Sequence, residues 1–352
     1  MSWAIREHTD QDVDAAGAVL ADPNADPNAL ESALSIINNW RSSHNFPLNT
    51  FQVTLRNKAR QFYSASLIAQ RLKRLRAIRH KLQKHTDKPI PLSKMQDIGG
   101  CRAVLKTVAQ VKKVQKAYLE SDLRHQLILP IHDYIERPKY SGYRGIHMVY
   151  TYNSDKKQTY NGLKIEVQLR TQLQHAWATA VEIVGFFRKE LLKSSEGDPV
   201  WKHFFKLMAN EIVLRERSSP IPGIPAPRNR DDLREQLRRC TAKLDAMTYL
   251  HAFGQGIQDV QEVDTEGAHF FLLELDVQNR RLKVTGYQLR AKARASIDYA
   301  QVERTLLGPG EHDAVLVSVE SVADLKRAYT NYYLDMRMFI ETVEQALGNG
   351  PK

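Results

Sequence analysis

The stretch Gly162–Trp177, GLKIEVQLRTQLQHAW, joins a strand pattern to a helix pattern without a break. In its first half apolar and polar residues alternate strictly, which places them on opposite faces of a strand. The apolar face would hold Leu163, Ile165, Val167 and Leu169, and the polar face Lys164, Glu166, Gln168 and Arg170. Thr171 and Gln174 then form a capping-box pattern, which predicts that a helix begins at once. The charged face suits a phosphate or a metal ion, although a half-buried strand with a solvated face would show the same pattern.

The composition limits the class of protein. The chain has 352 residues, enough for two domains or for one large domain with an appendage. A net charge of +11 and a pI of about 9.5 favour a polyanionic partner, either nucleic acid or nucleotide phosphate. Cys101 and Cys240 are the only cysteines, so we expect neither a disulfide framework nor a cysteine-rich zinc site. The absence of a signal peptide and of a long apolar run predicts a soluble cytoplasmic protein.

The charge is unevenly distributed. No Asp or Glu occurs from Ser32 through Thr86, and this acid-free stretch is rich in lysine and arginine. Its later apolar residues recur at helical spacing and predict a basic amphipathic helical region; they are Phe62, Leu67, Ile68, Leu72, Leu75, Ile78 and Leu82. Such one-sided charge favours phosphate binding over a merely solvated helix face.

The middle of the chain predicts a mixed sheet with flanking helices, an α+β arrangement. Strands are expected near Gly100–Leu105, Leu127–Ile135, Ile146–Asn153 and Leu163–Arg170, with a helix over Val108–Leu119. The segment Ser218–Arg230 contains four prolines, which forbid a regular helix and predict an extended linker. Beyond it we expect a helix over Asp231–Leu250, a hairpin of His269–Val277 and Leu282–Arg290, a strand over Ala314–Val319 and a last helix ending near Gly348.

Two short motifs contain residue types suited to nucleotide chemistry. The sequence Asp97–Arg102, DIGGCR, places a carboxylate before two glycines, which allow close backbone approach, and a guanidinium that can stack on a base or bind phosphate. The sequence Tyr134–His147, YIERPKYSGYRGIH, gathers cations and aromatic rings in a loop, which suits a base stacked above a phosphate chain. Taken singly, the first motif is better explained by an ordinary turn, and the second is explained equally well by a hairpin loop.

Taken together and in order, the motifs RLK, D-I-x-G-x-R, PK-x-x-GYR-x-IH and E-x-Q-x-RT-x-x-x-H-x-W resemble the synthetase domain of the RelA/SpoT family over roughly residues 50–190. That family transfers a pyrophosphate group from ATP to a ribose hydroxyl, usually the 3′-hydroxyl of GDP or GTP. The resemblance implies a nucleotidyltransferase-like α+β domain with a mixed sheet of about five strands. It also implies ATP as a substrate and Mg²⁺ as the cofactor.

The resemblance assigns roles residue by residue. Arg71 and Arg102 would enclose the adenine of ATP, and Lys73 and Lys81 would hold its phosphates. In the catalytic group, Asp97 and Glu166 would bind Mg²⁺, Glu166 could act as base on the attacking hydroxyl, and Tyr143 would stack on the acceptor base. The residues implied to line the acceptor and phosphate site are Lys139, Arg144, His147, Gln168 and Arg170.

The chain is expected to be a small synthetase without the hydrolase domain and regulatory array of the long family members. Its expected parts are a helical segment (1–49), the synthetase domain (50–217), the linker (218–230) and a C-terminal regulatory region (231–352). Some small members are toxins that modify the 3′-CCA end of tRNA and so inhibit translation. The net charge and the acid-free stretch favour tRNA as the acceptor. An alarmone synthetase making (p)ppGpp or (p)ppApp, and an inactive nucleotide- or RNA-binding regulator, stay open as alternatives.

The C-terminal half resembles the appendage of CapRel-type fused toxin–antitoxin proteins of phage defence. Those proteins carry a small degenerate zinc-finger-like β domain and a terminal helix with a YxxY motif. Tyr329 and Tyr332 match that motif. The resemblance implies that these tyrosines cover the adenine site until a phage protein, such as a capsid protein, binds. Tyrosines at this spacing on a helix are also typical of a packing stripe.

Overall fold

One mixed sheet of eight strands connects the two halves of the chain. The computed structural model describes residues 3–84, 90–187, 198–222, 230–256, 268–276, 281–305, 312–318 and 336–348. Its strands are β1 Leu67–Leu72, β2 Gly99–Leu105, β3 Gln126–Asp133, β4 Ile146–Thr151, β5 Lys164–Thr171, β6 Ala268–Asp276, β7 Arg281–Gln288 and β8 His312–Ser318. They lie in the order β3-β4-β5-β2-β1-β8-β6-β7. Because β2 and β5 are parallel and the other paired strands are antiparallel, the sheet is mixed, and the predicted α+β class is confirmed.

Helices cover the sheet, and several begin at local caps. They are α1 Asp10–Ala21, α2 Pro27–Ser43, α3 Asn45–Phe62, α4 Leu75–Lys84, α5 Val108–Leu119, α6 Gln172–Phe187, α7 Pro199–Glu216, α8 Arg230–Leu244, α9 Ala246–Gly256 and α10 Lys292–Thr305, and residues 336–347 are also helical. The predicted helix α5 has the predicted bounds and a Thr107–Gln110 capping box. The predicted box before α6 is confirmed by reciprocal hydrogen bonds of Thr171 and Gln174.

Alternation along the central strands separates the core from the open face of the sheet. Ile165, Val167 and Leu169 of β5 are fully buried in the core that α1 to α5 form with the sheet. Their polar neighbours Glu166 and Gln168 point the other way and keep partial exposure. The period of two in the sequence therefore fixes which side chains face solvent and which stabilise the fold by removing apolar area from water.

A second core holds the helices that follow β5. Trp201 and Phe204 of α7 are at most 1% exposed, and Phe339 of the terminal helix lies against both Phe204 and Phe205. Met336, like Phe339, is fully buried there. The helical residues 336–347 are therefore part of the core of α6 to α9.

The acid-free stretch is not helical throughout, and this corrects the prediction. Its helix α3 ends at Phe62, the strand β1 follows, and only then does α4 begin. The apolar residues Leu67, Ile68 and Leu72, which fit a helical period, belong to a strand that pairs with β2. These residues form a strand because they pair with β2. The spacing of apolar residues along the chain does not indicate such a pairing.

The C-terminal strands do not form a separate sheet. The predicted hairpin is present as β6 and β7, and β8 pairs both with β6 and, at Gln70 and Arg71, with β1. The helix α10 was not predicted, and the predicted helix over 231–250 is broken into α8 and α9 at Asp245, where φ is +48°. We refer to β6, β7, α10 and β8 together as the C-terminal unit.

Two further expectations concern metals and membranes. No cluster of three or more His, Cys, Asp or Glu side chains within the described ranges could hold a metal ion by itself. Nor does any helix there have the length and apolar character needed to cross a membrane. Cys101 and Cys240 are both free and buried.

The junction of α2 and α3 predicts a dependence of stability on pH. His44 is buried, its Nδ1 lies 2.8 Å from the carbonyl oxygen of Trp40, and burial lowers its pKa to about 4. Because the unfolded state binds the proton more tightly, His44 favours the folded state fully above about pH 6.5, and that contribution is lost as the pH falls towards 4. We expect His44→Gln to flatten the change in unfolding free energy between pH 7 and pH 4 by about 3 kcal/mol.

The measurement is urea unfolding of both proteins at several pH values. His203→Gln, at an exposed position of α7, is the matched control and should leave the pH profile unchanged. Parallel profiles for the parent and His44→Gln would contradict this account of the junction.

Candidate active site

The open face of the sheet collects the predicted site residues because strand register aligns them. β1, β2, β5 and β4 lie side by side, and their polar residues face the same side. One row across these strands holds Arg71, Gly100 and Glu166, and the next row holds Arg102, Gln168 and His147. Arg71 and Arg102 are therefore diagonal neighbours on one face, a spacing that long side chains can bridge.

Gly100 lies between Arg71 and Glu166 in the first of these rows. A Cβ at Gly100 would lie 3.7 Å from the Glu166 carbonyl oxygen and 3.9 Å from its Oε2, which is ordinary contact. Nothing in the fold itself therefore excludes a side chain at this position. The absence of one keeps the sheet surface between Arg71 and Glu166 open to a ligand.

Asp97 is held by the two lysines that were predicted to bind phosphate. Its Oδ2 accepts a hydrogen bond of 2.7 Å from Lys73 Nζ, and its Oδ1 accepts one of 3.0 Å from Lys81 Nζ. Burial alone would raise the pKa of Asp97, but the two ammonium groups outweigh it and lower the pKa to about 2. The structure thus brings together an ionised carboxylate and two cations at the edge of the open face.

Five of the predicted residues form one closed ring of hydrogen bonds. Arg170 donates to the hydroxyl of Tyr143, whose Oη is 2.6 Å from His147 Nε2, and His147 Nδ1 is 2.7 Å from Glu166 Oε1. On the other side Gln168 Nε2 donates to Glu166 Oε2 at 2.5 Å, and Arg170 donates to Gln168 Oε1 at 3.2 Å. The ring therefore connects Arg170 to Glu166 by two routes, one through Tyr143 and His147 and the other through Gln168.

The directions of these hydrogen bonds are mutually consistent. If His147 is the Nδ1–H tautomer, Tyr143 donates to Nε2 and His147 donates to Glu166, so every group in the ring has a partner. Burial and the Asp97 charge would raise the pKa of Glu166, but its contacts with His147 and Gln168 lower it. Glu166 is accordingly an ionised acceptor that can hold a cation or orient a hydroxyl.

The loop between β3 and β4 adds a further cation. Gly142 has φ +94°, and a Cβ there would lie 2.6 Å from Ala209 Cβ of α7, so only glycine fits this close approach. The loop holds Lys139 Nζ 4.4 Å from the centre of the Tyr134 ring and 5.3 Å from that of Tyr143. Desolvation lowers the pKa of Lys139; Glu166 opposes this, and Arg170 and Lys81 add to it. Such crowding of positive charge is relieved by a bound anion.

Three predicted residues are not in this group. Arg144 is buried and donates to the backbone carbonyl oxygens of Ile135 and Ser219, at 3.3 and 2.6 Å. Burial lowers its pKa to about 10, and it holds the start of the proline-rich segment against the loop without facing the open side. Tyr329 and Tyr332 lie outside the described residues.

Two neighbours of the site were not assigned from the sequence. Tyr134 contacts both Tyr143 and His147 edge-on, and it lies within the quoted loop motif. Arg74 of the turn before α4 forms an ion pair with Glu182 of α6. The Glu182 partner had no local signal, because the two residues are far apart in sequence.

The donor set is compatible with a magnesium ion shared with a nucleotide. Mg²⁺ is usually bound by one or two carboxylates together with substrate phosphates, and Asp97 and Glu166 are ionised and sense each other's charge. Lys73 and Lys81, which pair with Asp97 here, can instead form ion pairs with the phosphates of a bound nucleotide. The site can therefore bind a polyphosphate and polarise it while a hydroxyl is held beside Glu166.

Part of the sequence is similar to known proteins. Residues 70–184 match a family described as "Region found in RelA / SpoT proteins". The chain is 34% identical over 113 residues to GTP pyrophosphokinase YjbM of Bacillus subtilis (strain 168). That alignment covers 30% of this chain and 51% of the relative, so the chain spans about half the length of the curated relative.

Solved structures of low sequence identity align with half of the chain. Small alarmone synthetase 1 from Bacillus subtilis aligns with a TM-score of 0.42 and 21% identity over 49% of this chain and 88% of that chain. A GTP pyrophosphokinase family protein from Streptococcus pneumoniae aligns with a TM-score of 0.41 and 22% identity, covering 49% and 84% of the two chains.

Two adjacent glycines separate ligand binding from folding. We expect Gly100→Ala to leave the unfolding free energy nearly unchanged. The same variant should bind an ATP analogue at least tenfold more weakly, because its methyl group would occupy the open sheet surface between Arg71 and Glu166. Gly99→Ala would place Cβ 2.8 Å from Ile165 Cδ1 on the buried face, and it should destabilise the fold by about 1–3 kcal/mol. Calorimetric titration and urea unfolding of both variants test this pair. Equal affinities of the parent and Gly100→Ala for the analogue would show that the nucleotide does not bind on the sheet surface between Arg71 and Glu166.

Proposed function

We propose that this chain transfers a pyrophosphate group from ATP to a ribose hydroxyl, because residues 70–184 match the region found in RelA / SpoT proteins. The observation that carries the proposal is the hydrogen-bonded ring around Glu166, beside the carboxylate of Asp97 with its two lysines. The pyrophosphokinase relative supports the same reaction class. An inactive binding module would have no need to keep an ionised carboxylate in a closed ring next to a phosphate site.

The reaction is a displacement at the β-phosphorus of ATP. The acceptor hydroxyl oxygen forms a bond to that phosphorus, the bond from that phosphorus to the oxygen it shares with the α-phosphate breaks, and AMP leaves with that oxygen. The hydroxyl proton is released to solvent. Arg71 and Arg102 hold the adenine, and Lys73 and Lys81 neutralise the phosphates. Mg²⁺ held by Asp97 and Glu166 would supply further charge neutralisation at the reacting phosphates. Positioning and electrostatic stabilisation of this kind provide most of the catalysis in phosphoryl transfer.

The ring around Glu166 would handle the acceptor. Tyr143 offers an aromatic ring at the loop, and Arg170 lies 4.9 Å from its centre, so a base stacked there would meet a cation on the far side. Glu166 orients the attacking hydroxyl by accepting its proton as a hydrogen bond. Because its pKa is lowered, full proton abstraction is a weaker part of its role than orientation and cation binding.

We propose the 3′-CCA end of tRNA as the acceptor. The net charge of +11 and the exposed cation Arg76 on α4, the helix that carries Lys81, support a long polyanion over a free nucleotide. A guanine nucleotide is the second candidate, supported by the name of the curated relative. In that case the product would be an alarmone and the C-terminal half would have a different use.

We also propose that the C-terminal region regulates the synthetase and that a phage protein, with a capsid protein as the first candidate, releases it. The support is positional. The C-terminal unit pairs with β1 at Arg71, and the helical residues 336–347, which follow Tyr332, are anchored in the core of α6 and α7. In the proposed closed state Tyr329 and Tyr332 cover the nucleotide site, and in the open state they do not. A trigger would act by binding the open state more tightly than the closed one.

The first test offers γ-³²P-ATP and Mg²⁺ with deacylated tRNA, GDP or GTP as separate acceptors. We expect label on tRNA, and a loss of about a hundredfold or more in Glu166→Gln, which removes the charge and keeps the shape. Tyr150→Phe, in the same sheet but on its buried face, is the control and should keep its activity. Label on guanine nucleotide alone would identify an alarmone synthetase. No label with any acceptor, from either the parent chain or its Tyr329→Ala/Tyr332→Ala variant, would contradict the proposed reaction.

The second test addresses regulation. We expect the variant Tyr329→Ala/Tyr332→Ala to label tRNA faster than the parent chain and to be toxic in cells without a trigger. Phe339→Leu, within the helical residues 336–347, retains an apolar core residue and serves as the control. If the double variant is no more active than the parent, the two tyrosines do not cover the nucleotide site.

A further inference from the structure

The turn between β1 and α4 contains Lys73 and leads to Lys81, so its backbone decides where the phosphate-binding lysines lie. Lys73 N–H donates to the carbonyl oxygen of Ile98, at 2.7 Å. The Lys73 carbonyl oxygen accepts from Arg41 Nε of α2, at 3.0 Å. The backbone around Lys73 is therefore fixed from outside the turn.

The helix α4 has no cap of its own. The residue before it is Arg74, whose guanidinium has no acceptor atom and cannot accept the N–H groups that a helix start leaves unpaired. Instead Leu75 N–H donates to Glu303 Oε1 of α10, at 2.8 Å. A carboxylate at this end also interacts favourably with the helix dipole.

Glu303 is bound on all sides by buried groups. Its Oε2 accepts from Arg41 Nη1 at 2.6 Å, and its Oε1 accepts from the hydroxyl of Tyr299 at 2.7 Å. The Arg41 and Glu303 side chains are 3% and 6% exposed. Arg41 therefore links the carbonyl group of Lys73 to the carboxylate that caps α4.

We propose that Glu303 is a positioning residue of the nucleotide site, through which docking of the C-terminal unit orders the turn that carries Lys73 and the helix that carries Lys81. The proposal rests on ATP being the ligand of the proposed function. It adds a positive role to the C-terminal half: the region contributes a group that completes the synthetase site. Undocking α10 would leave the start of α4 uncapped and Arg41 without its counter-charge.

The test compares variants of the full chain. Glu303→Gln removes the charge, and Arg41→Met/Glu303→Met replaces the pair with apolar side chains, an exchange that often leaves stability equal or higher. The matched control is Asp298→Asn, which lies on the same helix and likewise accepts from a tyrosine hydroxyl and an arginine, Tyr287 and Arg294. Neither of these contacts reaches the turn that carries Lys73.

Two readouts are needed, the dissociation constant for α,β-methylene-ATP with Mg²⁺ and the hydrogen exchange rates of the amides of residues 73–78. We expect about tenfold weaker binding and at least tenfold faster exchange in both Glu303 variants, with no change in Asp298→Asn. The melting temperature of each variant is measured as well, and a double variant that melts with the parent chain shows that unfolding does not explain its weaker binding. Unchanged exchange, or faster exchange with unchanged affinity, would overturn the positioning role. If neither the parent chain nor its Tyr329→Ala/Tyr332→Ala variant binds the analogue, the proposed function fails, and the exchange rates alone decide whether Glu303 orders the turn.

Discussion

The acid-free stretch from Ser32 to Thr86 must obtain every counter-charge from elsewhere in the chain, and this constraint organises the structure. Asp97 pairs with Lys73 and Lys81, Glu182 with Arg74, and Glu303 with Arg41. These carboxylates come from the loop before β2, from α6 and from α10. Burying any of the cations alone would be costly, so each pairing ties a distant element to the same basic segment.

The pairings differ in what a ligand can change. The Arg41–Glu303 pair is buried and its breakage would leave an uncompensated charge, whereas Lys73, Lys81 and Asp97 keep partial exposure at the edge of the open face. A bound polyphosphate can replace Asp97 as the partner of the two lysines. A divalent cation can in turn replace the lysines as the partner of Asp97. The ion pair between this segment and α10 is therefore fixed by burial, whereas its ion pairs with Asp97 can be exchanged for contacts with a ligand.

Much of the site could be predicted from local sequence because strand alternation and register are local or nearly local. The polar residues of β5, the loop glycines and the DIGGCR turn all follow from spacing, and Glu166, Gln168 and His147 do share one face. Arg144 could not be placed in this way, since its direction depends on a contact with Ser219. The strand β1 was hidden by apolar residues that also fit a helical period, and only pairing with β2 and β8 distinguishes the two.

The C-terminal unit had the least local signal, and the reason is physical. Its hairpin could be predicted, but nothing in residues 268–318 indicates that β8 continues the sheet at β1 or that Glu303 caps a helix more than two hundred positions earlier. Without β8, β1 would be an edge strand with unpaired backbone groups, and β8 pairs with that backbone at Gln70 and Arg71. A regulator attached through β1 and through the start of α4 contacts both sides of the turn that carries Lys73. Any movement of that regulator must therefore change the nucleotide site directly, without a relay through the rest of the fold.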